Sequence, residues 1–452
     1  MRLINLNSFV RKEIFKISVK QVQSPVAYCA LTTGVGTRDE EPYYNGLAHF
    51  TEHMVFKGTV NRGSTSINNA LEKVGGELNA YTTKEETVLQ ATVLREDLYH
   101  AVDLLLEMAF TSVFPPKELE KEREVILDEI VSYKDAPSEA IYDQFETLLF
   151  GSHSLSMPIL GEKKTLKRID SAILKKYLTD NFVPSKMGFT VVADIESDKV
   201  VAMIEKSLAK YYKEEVQVLV VAEGEGCSAG ENGGGEQNVV GEFGGTERDI
   251  VAGSDGITGR NFIELASFGE NFYTEISKKN HQAHCMVGTT AYSCFEQKRL
   301  ALSILTNILG GPASNARLNM TLREKNALVY NVEAGYTPYA DTGIFTVYFG
   351  CDKADVKKCL ELTRQEIDKM VAVKLSDSAL KAAKKQLFGQ LSIAQDNAES
   401  QCLSMGKSLI VYGRINTFNQ IRAKIEEITA EQLQEVAREV LCWDRMSILV
   451  YC

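Results

Sequence analysis

Val26-Ala27-Tyr28-Cys29-Ala30-Leu31 reads as a strand, and beyond a polar loop His49 to Lys57 reads as a helix. The same succession returns in the second half of the chain, where Ala283-His284-Cys285-Met286-Val287-Gly288 precedes a polar loop and a helical Leu300 to Leu309. Each half continues with strand patterns, Glu77 to Val93 and Tyr330 to Phe349, and then with long amphipathic helices such as Lys117 to Tyr133 and Ser376 to Leu391. Two halves with one order of elements point to a duplicated unit. Strands and helices that mix without strict alternation predict an α+β fold: two homologous domains, each a mainly antiparallel sheet packed against helices.

Between the halves, Glu223 to Gly259 carries Glu-Gly-Glu-Gly, Gly-Gly-Gly and several acids but few large apolar residues, too little to bury a core. The expected division is a first domain at 1–217, an acidic glycine-rich linker or insertion at 218–261 and a second domain at 262–452. A chain of 452 residues is long enough for two to three cores of ordinary size. Hydrophobic content of 44% and charged content of 25% are those of globular proteins. No apolar run approaches the ~20 residues of a membrane span. The first twenty residues mix Arg2, Arg11, Lys12, Glu13 and Lys16 with short apolar stretches, so no export signal is expected. Nine cysteines scattered without CxxC pairs argue for a reducing, cytoplasmic setting. A net charge of -11 makes nucleic acid a poor partner; it either draws cationic peptides mildly or simply keeps the protein soluble.

His49-Phe50-Thr51-Glu52-His53 carries the chemistry. Residues four apart on a helix project from one face, so His49 and His53 can close on one ion, and Glu52 lies on nearly the same face. A catalytic zinc takes three protein ligands and keeps a position for water, which it acidifies. Glu52 suits the proton transfer from that water to the departing amine. A third ligand must come from elsewhere. The acidic helix Lys117 to Glu129 supplies two candidates on one face, Glu122 and Glu129, one to bind and one to organise the site. His281, His284 and Cys285 have a metal-like spacing but open a strand, where residues three apart face opposite sides. His100 and His153 are read as surface or capping residues.

Gly46 to Thr59, Gly75 to Thr82, Glu122 to Glu129, Pro158-Ile159-Leu160-Gly161 and Leu322 to Tyr330 together resemble the pitrilysin (insulinase-type) family of inverted-motif zinc peptidases. The branch they resemble includes the mitochondrial processing peptidase β-subunit and its bacterial relatives. The resemblance implies a zinc endopeptidase acting on peptides or unfolded segments, with one zinc per chain. It selects Glu129 as third ligand, leaving Glu122 as the auxiliary acid. It implies that Asn79, Ala80 and Tyr81 pair with an extended substrate at a strand edge, and that Arg323 and Tyr330 meet the substrate from the second domain. A homodimer is expected because one chain carries both the metal motif and this pair; a heterodimer with a related subunit is the alternative. Relatives that are non-catalytic assembly subunits typically lose a ligand or the base, and here all four residues are present. A zinc carrier without hydrolysis is a third reading. Two departures are Ala327, where the family usually has glycine, and the long insertion.

Overall fold

The computed structural model describes residues 13–224, 271–278 and 280–452. Six strands, β1 (Glu13–Gln21), β2 (Val26–Thr33), β3 (Glu77–Thr82), β4 (Thr87–Leu94), β5 (Met187–Ala193) and β6 (Val216–Val220), form a sheet in the order β3-β4-β2-β5-β1-β6. Five more, β7 (Tyr273–Ile276), β8 (Ala283–Ala291), β9 (Val329–Pro338), β10 (Gly343–Cys351) and β11 (Ser447–Tyr451), form a second in the order β7-β11-β8-β10-β9. Apart from β6, the two orders coincide when β1 to β5 are matched with β7, β8, β9, β10 and β11. The directions match as well: β1 with β5 and β7 with β11 run parallel, and the hairpin strands antiparallel. The fold is therefore α+β, with two mainly antiparallel sheets of one topology. Strand β6 carries the first sheet to Val220, past residue 217, and most of the stretch expected as a linker lies outside the described residues.

The helices are α1 (Leu47–Val55), α2 (Ser64–Glu72), α3 (Leu98–Thr111), α4 (Pro116–Lys134), α5 (Pro137–Phe150), α6 (Lys163–Leu166), α7 (Ser171–Asn181) and α8 (Ser197–Tyr211) in the first half. In the second they are α9 (Arg299–Gly310), α10 (Val356–Ala372), α11 (Asp377–Gln395), α12 (Ala398–Tyr412), α13 (Phe418–Glu426) and α14 (Ala430–Val440). Alternate residues of each strand face opposite sides. On one face of the first sheet Cys29, Leu31, Leu89, Ala91, Phe189 and Val191 join residues of α1, α3, α4, α7 and α8 in a core. The second sheet does the same with Cys285, Val287, Phe345 and Val347 against α9, α10 and α14.

The other two faces are covered reciprocally. Ile141, Phe145 and Leu149 of α5, spaced four apart, bury against Met286, Ile344, Tyr348 and Leu449 of the second sheet. Cys402 and Met405 of α12 bury against Ala30, Val88 and Val192 of the first. Each half thus lends one helix to the other. No described helix is long and apolar enough to cross a membrane.

Candidate metal centre

Helix α1 begins at Gly46, whose φ of +94° is reached without strain by glycine. A Cβ there would lie 2.9 Å from Gly161 Cα, and one on Gly161 would lie 2.5 Å from Asn45 O, so two glycines let the backbones cross closely. Glu40 caps this helix from upstream: its carboxylate accepts from the Gly46 amide at 2.8 Å, the Ala48 amide at 2.5 Å and Asn45 Nδ2 at 3.1 Å. The apolar side of α1, with Ala48, Phe50, Met54 and Val55, is fully buried.

Helix α4 lies against α1. Leu119, Ile126 and Ile130 bury one stripe of it, and buried Arg123 anchors it by donating to Leu166 O and to Ile169 O at 2.9 Å while lying over the Phe50 ring. That packing carries Glu122 and Glu129 to the histidines. His49 Nε2 lies 3.8 Å and His53 Nε2 3.5 Å from one atom, Glu129 Oε2. His53 Nδ1 donates to Glu122 Oε1 at 3.0 Å, which leaves the Nε2 lone pair free, and Lys57 Nζ donates to Glu122 Oε2 at 2.7 Å. Among the described residues, His49, His53 and Glu129 are the one group of three or more His, Cys, Asp or Glu whose ligand atoms converge, all within 4.8 Å of one another.

These residues fit zinc. Two imidazoles and a carboxylate are its usual donors, and bonds of ~2.0–2.1 Å set tetrahedral edges of about 3.4 Å, close to the spacings found. Burial, helped by the neighbouring His53, holds the His49 imidazole down to about 3, so it stays neutral and able to ligate. Its Nδ1 is buried without a hydrogen-bond partner. Glu129 is exposed on its outer side, leaving an approach for a further ligand. Glu52 is half-buried beside the histidines; burial pushes its carboxyl up, with the charge of Glu129 acting in the same direction.

The other expected residues lie apart. Asn79, Ala80 and Tyr81 sit on β3, the outermost strand of the first sheet, which pairs only with β4 among the described strands. Arg323 stands on a π-helical turn, Asn319–Glu324, and Tyr330 on β9; both are exposed, and no described contact joins them to the histidines. Ala327, between them, has a φ of +50°, the left-handed region that glycine favours. His284 donates to or accepts from Tyr348 Oη at 2.9 Å, with no metal group around it among the described residues. His100 is exposed, and His153 caps a turn at Leu155 as expected while also reaching Asp341 Oδ2 at 3.1 Å across the halves. Glu40 and Lys57 were not singled out by sequence: a charge in an Asp39-Glu40-Glu41 run or at the end of a helix ordinarily faces water. In the second half, matching Leu300-Ala301 to Leu47-Ala48 puts Leu302 and Thr306 where His49 and His53 stand, so that half has no counterpart of the histidine pair.

Two models of one family match the chain: the insulinase domain (Peptidase family M16) over residues 16–163, and the peptidase M16 inactive domain over residues 168–387. The uncharacterized zinc protease YmxG of Bacillus subtilis is 28% identical over 417 residues, 92% of this chain and 91% of its own length. An uncharacterized zinc protease of Streptomyces coelicolor is 29% identical over 407 residues, 90% of this chain and 81% of its own. Among solved structures, a protease from Helicobacter pylori superposes with a TM-score of 0.78 at 16% identity, covering 96% of this chain and 95% of that one. A peptidase M16 inactive domain from Pseudomonas fluorescens gives 0.77 at 17%, covering 97% and 94%. These likenesses extend the two-sheet architecture over almost the whole length.

Proposed function

The chain belongs to the insulinase family, Peptidase family M16, and on that premise we propose that it is a zinc-dependent endopeptidase acting on peptides or unfolded polypeptide segments. The observation that carries this reading is the convergence of His49, His53 and Glu129 with one side open. Relatives named zinc proteases support it.

His49 Nε2, His53 Nε2 and a Glu129 oxygen would hold one zinc per chain. Bound there, zinc would polarise the scissile carbonyl and acidify a water. Glu52 takes the proton of the attacking water on its carboxylate and passes it to the departing amine nitrogen. Burial, which raises its carboxyl, favours its taking up that proton. Glu122 fixes the His53 tautomer by accepting from Nδ1. The unpaired side of β3, at Asn79, Ala80 and Tyr81, suits an extended peptide that adds as a strand, which binds backbone and tolerates many side chains. Arg323 and Tyr330, exposed on the second half, are the groups we assign to the substrate carbonyl. The assembly is a homodimer, a heterodimer with a related subunit being the other arrangement. Its place is nearest the processing-peptidase branch and, from cysteine usage, in the cytoplasm.

The test is cleavage of an unstructured quenched fluorescent peptide library by the purified protein beside Glu52→Gln, with zinc measured in both. Cleavage by the wild type and none by a zinc-loaded variant supports the assignment. Stoichiometric zinc with no cleavage by either protein would replace it with the non-catalytic subunit reading. The same result would also fit a zinc carrier, and Glu52→Gln should then change nothing in zinc binding either.

A further inference from the structure

The metal helix is held from outside by a short segment that also grips the second half. Thr37 and Arg38 donate their backbone amides to Thr83 O and Lys84 O at 3.2 and 3.0 Å, so Thr37–Glu40 lies along the turn between β3 and β4. Gly36 brings the chain so near that a Cβ would fall 2.4 Å from the Lys84 carbonyl carbon. The segment closes on itself as the Gly36 amide donates to Asp39 Oδ2 at 2.9 Å and the Glu40 amide to Thr37 O at 3.3 Å.

Two side chains leave this segment in different directions. Arg38 donates to Glu85 Oε1 at 2.6 Å and, with both terminal nitrogens, to Asp341 Oδ1 at 2.8 Å and Oδ2 at 2.5 Å. Asp341 sits in the turn between β9 and β10, so the two topologically equivalent hairpin tips meet at Arg38. The Ala340 amide adds a bond to Glu85 Oε1 at 3.1 Å, and His153 completes the Asp341 carboxylate. Only 6% of the Arg38 side chain and 10% of that of Asp341 is exposed, so the fork geometry is fixed rather than solvated. The second side chain is Glu40, 7% exposed, with all its bonds going to Asn45 and the first turn of α1. Gly46 offers no side-chain cap of its own. The first turn is where His49 stands.

We propose that Thr37–Glu40 is a positioning strap through which the half without the histidine pair sets the metal helix: Glu40 holds the first turn of α1, and Asp341 holds Glu40 in place through Arg38. This rests on the metal-site reading above. Glu40 and Arg38 are positioning residues and touch neither metal nor substrate. Burial pushes the Glu40 carboxyl up to about 8, against the three donors from Asn45 and the first turn of the helix that hold it down.

The experiment compares wild type, Glu40→Gln, Asp341→Asn, the double variant, and Asp103→Asn as a control in the distant network joining α3 to α8. Each protein is loaded with Co2+ for its visible absorption spectrum. Zinc Kd is measured by chelator competition, and thermal unfolding is followed on the metal-free form. The strap predicts that Glu40→Gln weakens zinc about tenfold and shifts the cobalt bands, the range seen for residues that orient ligands being roughly 10–100-fold. Asp341→Asn moves both readouts the same way by less, and the double variant adds little to Glu40→Gln, as two residues on one path should. Asp103→Asn lowers Tm without touching spectrum or Kd. If Glu40→Gln fails to fold, Asp341→Asn and its spectrum decide alone. Unchanged spectra and Kd in folded variants with lower Tm would overturn the strap, leaving an ordinary structural cap. A wild type that takes no metal would overturn it too. A wild type that binds cobalt normally but cuts nothing sinks the peptidase reading and leaves the strap to be decided by the spectra.

Discussion

Removing the acid behind His53 separates metal binding from folding. Glu122 uses both oxygens, Oε1 for His53 Nδ1 at 3.0 Å and Oε2 for Lys57 Nζ at 2.7 Å. Lys57 is partly covered and Glu122 buried, so the attraction of this pair is largely offset by the cost of desolvating both charges and its net contribution to stability is about 0–1 kcal/mol. The bond to His53 acts on the ligand itself, where losing an orienting partner typically costs 10–100-fold in affinity, or about 1.4–2.7 kcal/mol. Affinity should therefore fall more than stability. Glu122→Gln keeps an acceptor for Nδ1 but loses the charge that makes the bond strong, so it is expected near the tenfold end; Glu122→Ala is expected nearer a hundredfold. Lys57→Met should lie below both. The assay is zinc competition against a chromophoric chelator at pH 7, beside urea unfolding of the metal-free proteins. Unchanged zinc affinity in Glu122→Gln, with the metal-free protein destabilised by 2 kcal/mol or more on the scale of ~1–3 kcal/mol for an orphaned polar group, would refute the assignment and make Glu122 a folding residue.

Stripping zinc with a chelator should lower Tm in a concentration-dependent way, since free metal at ~1,000 times its Kd stabilises by about 4 kcal/mol; a Tm indifferent to the chelator would argue against a native site. Phe145→Ala removes a fully buried ring of α5 from the second sheet and should cost about 3–5 kcal/mol, with amide exchange accelerated in β8, β10 and β11 before β2 and β5; uniform acceleration would mean the halves do not separate there. Burial alone would raise the Asp341 carboxyl, but hydrogen bonds from His153 and Arg38 and the charge of Arg38 hold it well below the usual carboxylate range. A carboxyl lowered on folding contributes stability above its unfolded value of ~3.9 and loses it as pH falls below that. Wild type should thus lose stability relative to Asp341→Asn on acidification, and parallel urea midpoints from pH 6 to pH 3 would contradict this. Ala327→Gly relieves a left-handed alanine costing ~1–2 kcal/mol against ~0.5–1 kcal/mol of added unfolded-state freedom, so urea unfolding should show a gain of up to about 1 kcal/mol; a loss would show that the strain is absorbed elsewhere.

What could be read from sequence was what is local or repeated. His49 and His53 share a helix face because they are four apart, and the duplicated order of strands survives because alternation and helical periodicity are written into each segment. Glu129 is different. It is far along the chain from the histidines, and only the packing of α4 on α1 through Arg123, Phe50 and Ile126 brings it to them. Nothing in its own acidic helix distinguishes it from Glu122, so a family spacing had to choose. Glu40 and Asp341 were silent for a related reason: one sits in a run of acids and the other in a turn, both settings where an acid ordinarily meets water. Their burial arises from contacts between hairpin tips that no local pattern encodes.

The exchange of α5 and α12 was equally hidden, because an amphipathic helix announces that it has a buried face but not whose sheet will cover it. That exchange changes what the second half is for. Without α12 the first sheet would expose Ala30, Val88 and Val192 to water, and without α5 the second would expose Met286, Ile344 and Leu449. A half that lacks the histidine pair is thus needed to complete the half that has it, quite apart from any contact with substrate. Its substitutions should reach the metal through two physical routes, loss of the shared cores and loss of the grip on Arg38. The first lowers the stability of the whole chain; the second alters the metal ligands while leaving the cores intact. A second-half variant that changes cobalt spectra while the shared cores keep their amide protection has acted through the second route, and the strap proposal puts that route at Asp341, which grips Arg38.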